Sequence, residues 1–297
     1  MIMANIRHVR FYEVPAALDH VIVLLPYRDL KDPPKWLTDK FIITDGGRHT
    51  DGKTENKLIV FQDGTYIELI AFVDDKVEYR HDHWWGARSY GIIDWAFTTA
   101  ATNPNQHHEF ICDYLQRIQH TNSKTNWNPE GNCGMNGSFS YAAPQRGGRT
   151  RPDGTQLEWN VTFPTHTSLN GNYVTRPVNL PFFCHDVTPR ELRVKGSVAH
   201  PCGASGIGEV RILVDADCLD LYSACARAVL GYEGPMSAKS KEVGVETPAG
   251  PNCRVIFKPA ASDEEKAQVR EHQFAIKELM LRSDWSYPTI FSYPREE

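Results

Sequence analysis

Two stretches decide the fold of this 297-residue chain: residues 18–26, LDHVIVLLP, and residues 46–73, GGRHTDGKTENKLIVFQDGTYIELIAFV. The first stretch is apolar on both alternating faces except at His20, and this pattern predicts a strand buried on two sides. In the second stretch a glycine-rich loop leads into a strand, Asp63-Gly64 predicts a tight hairpin, and TYIELIAFV predicts the returning strand. A short helix is expected after Pro33 and Pro34, so residues 1–75 form one βαβββ module.

The same order of elements recurs twice along the chain. Residues 76–200 contain the strand-like GIIDWAF, the helix-like NQHHEFICDYLQRIQ and the later strands TQLEWNVTF and LPFFCHDV. Residues 201–297 contain GIGEVRILV, the helix-like DCLDLYSACARAVLG, CRVIFKP and FAIKELMLRS. Repetition of one supersecondary unit predicts an α+β protein made of two βαβββ modules and a third, C-terminal module.

Polar residues recur at similar places in these apolar strands. The initial strands carry His20, Asp94 and Glu209, and the closing strands carry Glu68, His185 and Glu278. A carboxylate in a dry core is costly unless it is paired or binds a metal. The recurrence therefore indicates side chains that line a shared cavity, whereas a lone buried histidine would usually be a hydrogen-bonded core residue.

Composition and charge narrow the class of protein. The chain has 41% hydrophobic and 23% charged residues, a net charge of -5 and a pI near 6.2, which describes an ordinary globular protein and argues against nucleic-acid binding. No apolar run approaches the roughly 20 residues that span a bilayer, so we expect a cytoplasmic protein without a membrane partner. The seven cysteines include no CxxC pair and are expected to be reduced, structural thiols.

LDHVIVLLP and the GGxHxDGxTxNxLIxFxDGxYIEL pattern of residues 46–69 resemble the glyoxalase-like domain of the vicinal oxygen chelate superfamily. The downstream pieces GIIDWAF, RPDGTQLEWN, LPFFCHD and HPCGASGIGEV are similar to the second half of that domain. The resemblance implies that paired βαβββ modules curl into a half-open β-barrel around the active site. It also implies a small-molecule substrate, and a homodimer is an expected assembly because modules pair within or between chains.

The resemblance further implies a divalent metal ion that binds two neighbouring substrate oxygens and stabilises an enolate-like intermediate. Its ligands would be His20 and Glu68 from the first module, with Asp94 and His185 at the corresponding places of the second. Imidazole and carboxylate ligands suit Zn, Fe(II), Mn or Ni.

Other residues are candidates for catalysis or substrate binding. Glu68 and His49 are the expected acid/base groups, since His49 lies in a glycine-rich loop of the kind that carries function. The loop QRGGRTR offers arginines that could clamp an anionic or keto-acid substrate. The expected substrate-binding residues are His49, Asn56, Trp95, Arg149 and His200.

We therefore expect an enzyme with metal-assisted lyase or isomerase chemistry through proton abstraction next to a carbonyl. An extradiol-type dioxygenase, using His20, Glu68 and His185, is the nearest variant. A metal-free binding protein with aromatic walls, supported by the segment HDHWWGARSY, is the alternative from another class, and a metal-independent isomerase or cyclase lies between the two. If the His20 and Glu68 side chains lie more than about 6 Å apart, too far to share one ion, or are separately hydrogen-bonded, binding or metal-independent catalysis is favoured.

Overall fold

The computed structural model describes residues 16–100, 103–123, 137–168, 173–175, 180–196, 198–230, 241–272, 274–283 and 289–294. Strands dominate these residues, with three helices of ten residues or more and several short ones. The strands form an eight-stranded barrel, a small three-stranded sheet and a five-stranded C-terminal sheet. The predicted α+β class is confirmed.

The first module contributes four strands to the barrel. Asp63 and Gly64 form the predicted hairpin turn between the last two: Gly64 has a φ of +79° and Asp63 Oδ1 accepts the Thr65 N–H at 2.9 Å. In chain order the elements are β1 (Ala16–Leu24), α1 (Tyr27–Lys31), α2 (Lys35–Thr38), β2 (Thr44–His49), β3 (Thr54–Val60), β4 (Tyr66–Phe72), a 3₁₀ turn (Val73–Asp75) and α3 (Val77–Arg80).

The second module repeats this arrangement with insertions. Its elements are β5 (Gly91–Thr99), α4 (Pro104–Ser123), β6 (Gly137–Tyr141), β7 (Gln145–Thr150), β8 (Gln156–Thr162), β9 (Pro164–Ser168), β10 (Tyr173–Thr175), β11 (Phe182–Asp186) and α5 (Arg190–Arg193). Strands β6, β9 and β10 form the three-stranded sheet outside the barrel, in the order β10-β9-β6.

The barrel strands follow the order β1-β4-β3-β2-β7-β8-β11-β5 and close into a ring. In each module the first strand runs parallel to the last, β1 beside β4 and β5 beside β11, so the repeat read from the sequence is a repeat of topology. We expected a half-open barrel, and the ring is in fact closed between β2 and β7 by the pairs Arg48–Thr150 and His49–Arg149. Those two pairs bring the two modules together beside His49.

Strand β1 is apolar on both faces because each face meets a different core. Ile22 and Leu24 point into the barrel, while Val21 and Val23 pack outward. The inner core consists of Ile22, Leu24, Ile70, Phe72, Trp85, Ile93, Ala96, Leu157, Trp159, Val161, Phe163, Phe182 and Cys184. The outer core packs α4, α6 and the C-terminal sheet against the barrel wall.

The C-terminal sheet is the predicted third module, with strand order β13-β14-β12-β15-β16. It packs on the barrel through the Trp95 and Phe257 rings, whose centroids are 6.5 Å apart, and through the Leu18 N–H, which donates to the Glu246 carbonyl. Its elements are β12 (Ala204–Val214), a 3₁₀ turn (Ala216–Cys218), α6 (Leu219–Leu230), β13 (Lys241–Val245), β14 (Cys253–Pro259), α7 (Asp263–His272), β15 (Phe274–Ser283) and β16 (Thr289–Phe291).

The sequence alignment of Glu278 with Glu68 is wrong. Strand β12 has β14 as its parallel neighbour and β15 as its antiparallel one, so β15 corresponds to β5 and not to β4. Glu278 and Glu209 both form ion pairs with Arg211 on the C-terminal sheet. They belong to that surface and not to a cavity shared with His20.

Of the six cysteines in the described ranges, five follow the expectation; Cys133 lies outside those ranges. Cys112, Cys184, Cys202, Cys225 and Cys253 are free thiols, but Cys218 is disulfide-bonded. Sequence spacing could not identify this pairing because it depends on tertiary contacts. Of the helices in the described ranges, none combines the length and the apolar character needed to cross a membrane.

Candidate active site

A cavity of about 240 Å³ lies inside the barrel. One part of its wall is polar and carries His20, His49, Asn56, Glu68 and Arg149. The opposite part is aromatic and consists of Trp84, Trp85, Trp159, Phe163 and Phe182. The volume is below the roughly 300–1,000 Å³ of pockets for drug-sized ligands, so the cavity suits a small molecule.

The polar wall is assembled from five neighbouring strands, β1, β4, β3, β2 and β7. His20 on β1 lies beside Tyr66 on β4, and Glu68 lies one inward-facing position further along β4. Asn56 enters from β3, and His49 ends β2 directly opposite Arg149 of β7. Because residues two apart on a strand share a face, all five polar side chains point into the barrel.

Glu68 is the centre of this wall. Its Oε2 lies 3.4 Å from His20 Nε2, and its Oε1 lies 3.6 Å from His49 Nε2. Asn56 Nδ2 donates to the same Oε1 at 2.5 Å. Two imidazoles therefore face the two oxygens of one carboxylate that is 6% exposed.

Asp19 supports His20 from behind. The pairing of β1 with β5 shifts between Leu18 and His20, which leaves Asp19 as a bulge residue that can reach its neighbour's ring. Asp19 Oδ2 lies 2.9 Å from His20 Nδ1, and the buried carboxylate is held by Arg190 at 2.5 Å and Arg193 at 3.0 Å. The result is a chain of contacts that runs Arg193, Asp19, His20, Glu68.

Two aromatic rings, and Arg193 from the second module, restrain the His20 ring further. The ring stacks on Tyr66 with centroids 4.5 Å apart and an interplanar angle of 15°, and Phe182 contacts it edge-on. Arg193 Nη1 donates to the Tyr66 hydroxyl at 2.6 Å. These contacts together hold the His20 ring in one orientation.

The charges of this cluster differ from residue to residue. Burial disfavours the charged form of His20, but the hydrogen bonds and charges of Asp19 and Glu68 outweigh it and raise the pKa of His20. Burial also opposes ionisation of Glu68, yet His20, His49 and Asn56 lower the pKa of Glu68 to about 2. Burial lowers the pKa of His49 in spite of the nearby Glu68 charge. The surroundings therefore favour an imidazolium at His20, a carboxylate at Glu68 and a neutral imidazole at His49.

The remaining sequence candidates lie elsewhere. His185 follows Cys184 on β11; because Cys184 faces the cavity, His185 faces out of the barrel, with its ring centroid 5.0 Å from that of His107 on α4. Asp94 lies opposite Ile22, and Trp85 Nε1 donates to it at 2.8 Å, so the indole and not the carboxylate lines the cavity.

Trp95 and His200 are also outside the cavity. Trp95 is fully buried on the outer face of β5, where it contacts Phe97 and Phe257. His200 Nδ1 accepts the Ile42 N–H at 3.1 Å and its Nε2 donates to the Val60 carbonyl at 3.1 Å. These two residues are structural.

Several cavity residues were missed by the sequence reasoning. Asp19 could have been found as the acid next to His20, and Trp84 and Trp85 lie in the segment singled out for its aromatic residues. No local sequence pattern pointed to Arg193 on α5, because it meets Asp19, which is far away in the sequence, only in the folded barrel. Cys184 lines the cavity too, and burial raises the pKa of its thiol, which keeps it neutral.

The metal site implied by the fold family does not fit these residues. Within the described ranges, no three or more His, Cys, Asp or Glu side chains surround a point that could hold a metal ion. Asp94 and His185, which were expected to complete the ligand set, point elsewhere, and Glu68 Oε1 is already bonded to Asn56. The direct contact between His20 and Glu68 forms an ion pair instead.

Comparison with known proteins places this architecture in a family. Residues 18–220 match the family model of the glyoxalase-like domain. The chain belongs to this family. The predicted resemblance of this chain to the glyoxalase-like domain is thereby confirmed, and no curated protein sequence matches the chain.

Solved structures match the chain at low sequence identity. A hypothetical protein from Staphylococcus aureus is 12% identical over 82% of this chain and 86% of its own, with a TM-score of 0.51. A fusion protein of a xylose isomerase-like TIM barrel and 4-hydroxyphenylpyruvate dioxygenase is 8% identical over 89% of this chain and 36% of its own, with a TM-score of 0.46. A mutant 4-hydroxymandelate synthase from Streptomyces coelicolor is 9% identical over 90% of this chain and 71% of its own, with a TM-score of 0.40. At 12% identity the likeness to the Staphylococcus aureus protein concerns the fold alone.

Proposed function

We propose that the glyoxalase-like domain transfers a proton next to a carbonyl group of a small organic molecule, as an isomerase or a lyase. One observation carries the proposal: inside the barrel cavity, two histidines of opposite protonation preference face the two oxygens of a single buried carboxylate. Groups whose environments push their pKa values apart are the usual basis for assigning an acid and a base.

His49 is the base in this proposal. Its Nδ1 lies 2.8 Å from the Thr54 hydroxyl, and the tautomer in which Nδ1 donates to that oxygen leaves Nε2 as an acceptor on the cavity side. Nε2 takes the proton from the carbon next to the carbonyl. An isomerase returns this proton to another atom of the substrate, whereas a lyase uses the electron pair to expel a neighbouring group.

His20 stabilises the negative charge that forms on the substrate in this proposal, and Glu68 supports His20. As negative charge develops on the carbonyl oxygen, the His20 imidazolium offsets it in a site with little water, where such an interaction is strong. Glu68 keeps His20 protonated and oriented, and Asp19 does the same from the other ring nitrogen. Since the pKa of Glu68 is about 2, its carboxylate is a weak base, and we assign it to positioning.

A metal-free binding protein is the second candidate. The aromatic wall, with Trp85, Trp159, Phe163 and Phe182 all under 10% exposed, favours it, because such surfaces bind planar molecules without any chemistry. The two candidates differ in whether a bound carbonyl compound loses a C–H proton to solvent.

Deuterium exchange in D₂O tests the proposal. We would follow the benzylic CH₂ of phenylpyruvate and of phenylacetone by proton NMR, with wild-type protein, His49→Gln and the exposed-site control His81→Gln, whose side chain is 82% exposed. We expect exchange of at least one probe above the buffer rate with wild type and His81→Gln, and its loss with His49→Gln. Binding detected by tryptophan fluorescence without faster exchange of either probe would overturn proton transfer in favour of the binding protein.

A further inference from the structure

The guanidinium of Arg149 is buried without a counter-ion. The residue is 3% exposed, and no described carboxylate lies within ion-pair distance of it. Its Nη1 donates to Asn56 Oδ1 at 3.1 Å, its Nη2 donates to the Arg193 carbonyl at 2.9 Å, and its Nε has no partner among the described residues. The described part of the chain thus accepts from two of the five N–H donors of the guanidinium.

The charges around Arg149 leave one cation in excess. The connected polar cluster contains three carboxylates and four cations when His20 is protonated. Asp19 and Asp186 pair with Arg190 and Arg193, and Glu68 pairs with His20. The carboxylates are Asp19, Glu68 and Asp186, and the cations are His20, Arg149, Arg190 and Arg193.

A buried charge without a partner is costly, so an uncompensated guanidinium in a cavity wall points to an anion that arrives with the ligand. Arginine presents a planar fork that matches a carboxylate with two parallel hydrogen bonds. Arg149 lies opposite His49 on the neighbouring strand, so an anion bound there sits next to the group that would take the proton. The aromatic wall faces this polar side across the cavity.

We infer that the ligand of this cavity is a small carboxylate that carries an aromatic or similarly flat apolar group, with the carboxylate bound by Arg149 and the apolar group against Trp85, Trp159 and Phe182. This inference rests on the proposed function only in placing ligand and chemistry in the same cavity. Of the three arginines in QRGGRTR, it selects Arg149, because Arg146 pairs with Glu158 at the exposed mouth and Arg151 lies 3.5 Å from Asp153.

Binding of two unreactive, nearly isosteric probes tests the inference. The probes are 3-phenylpropanoate and its neutral amide, 3-phenylpropanamide, and the readout is the fluorescence of the tryptophans that line the cavity, checked by calorimetry. We expect wild-type protein to bind the acid about tenfold more tightly than the amide or better, as for a desolvated charge pair. Equal affinities, or a preference for the amide, would overturn the inference without any variant being made.

Variants then assign the preference to a residue. We expect Arg149→Gln to bind the acid and the amide equally, Arg149→Lys to keep part of the preference, and the exposed-site control Arg28→Gln to keep all of it. If Arg149→Gln fails to fold, Arg149→Lys together with Arg146→Gln replaces it. A full wild-type preference in either Arg149 variant, or its loss in Arg146→Gln, would overturn the assignment.

The two proposals fail separately. If the protein prefers the acid but phenylpyruvate shows no deuterium exchange, the proton-transfer proposal is contradicted and the carboxylate inference is supported. Exchange in phenylacetone as fast as in phenylpyruvate, with no preference between acid and amide, sinks the carboxylate inference and supports proton transfer.

Discussion

His20 Nε2 lies 3.4 Å from Glu68 Oε2, although the two residues belong to opposite ends of the first module. The parallel register of β1 and β4 sets Tyr66 beside His20 and Glu68 beside Ile22, so the two side chains meet diagonally on the inner face of the barrel. This separation is below the roughly 6 Å beyond which the two side chains could not share one ion. The contact is the one on which the proposed chemistry depends.

Glu68→Gln should reduce the rate of substrate deuterium exchange by about 10²–10³-fold, the range for loss of one group that stabilises developing charge, here the His20 imidazolium that Glu68 maintains. The amide keeps the shape of the carboxylate but no longer holds His20 as an imidazolium. The measurement is the NMR exchange rate at saturating probe, and Glu78→Gln on the exposed face of α3 is the matched control. An unchanged rate in Glu68→Gln would remove Glu68 from the proposed site.

Gly46→Ala should displace a cavity residue, although Gly46 itself does not line the cavity. A Cβ at this position would lie within 1.9 Å of Asn56 Oδ1 and 2.6 Å of the Asn56 carbonyl, so Asn56, which bridges Arg149 and Glu68, must move. We expect a loss of about 1–3 kcal/mol in the free energy of unfolding, as for overpacking, together with a lower exchange rate.

Gly244→Ala on β13 is the control for this change, because a Cβ there meets nothing within 4 Å. Urea unfolding and the exchange assay measure both effects. A Gly46→Ala protein that matched Gly244→Ala in both measurements would mean that Asn56 does not need its present position.

Arg193→Met should lower the free energy of unfolding by about 3–5 kcal/mol, because it leaves the fully buried Asp19 without one of its two cations. Arg193 also contacts Asp186 at 2.5 Å and the Tyr66 hydroxyl, so the variant loosens α5 as well. Arg28→Met, at a side chain 79% exposed, is the control in urea unfolding. A loss below about 1 kcal/mol, the size expected for an exposed ion pair, would contradict this account.

Acid should destabilise the protein through His107 and His185. Burial lowers the pKa of His107 to about 3 and that of His185 to about 4, from the ordinary 6.5, and within the described ranges neither ring nitrogen of either residue has a hydrogen-bond partner. The unfolded chain therefore binds more protons than the folded one below pH 6.5. The stability is fully present above that pH and falls as the pH drops toward 4, on the order of 3 kcal/mol from His185.

His185→Leu should flatten this dependence, which urea unfolding at a series of pH values between 7 and about 4 would measure, whereas the exposed-site control His81→Gln should keep it. Equal slopes for His185→Leu and wild type would show that His185 does not hold a lowered pKa.

Much of the cavity could be predicted from the sequence. Apolar frames around His20 and Glu68, the glycine-rich loop with His49 and Asn56, and the arginine loop with Arg149 marked five residues that all line the cavity. They were found because strand alternation and loop composition are local signals.

Two of the misplaced candidates share one cause. His185 and Trp95 are each one residue away from an inward-facing position, and a shift of one residue moves a side chain to the other face of a strand. Register shifts such as those between β1 and β5 arise from pairing between strands, which the sequence of one strand does not reveal.

The sequence by itself determined the βαβββ repeat and the two-sided burial of β1, because hydrophobic periodicity and turn residues act over a few neighbouring positions, and the resemblance of its motifs to the glyoxalase-like domain indicated the family. Only the tertiary structure decided that Glu68 pairs with His20 and His49, that Asp19 reaches His20 through a bulge, and that Arg149 has no counter-ion among the described residues. These relationships depend on strand register and on the meeting of two modules at β2 and β7, and register is fixed by the packing of the whole barrel.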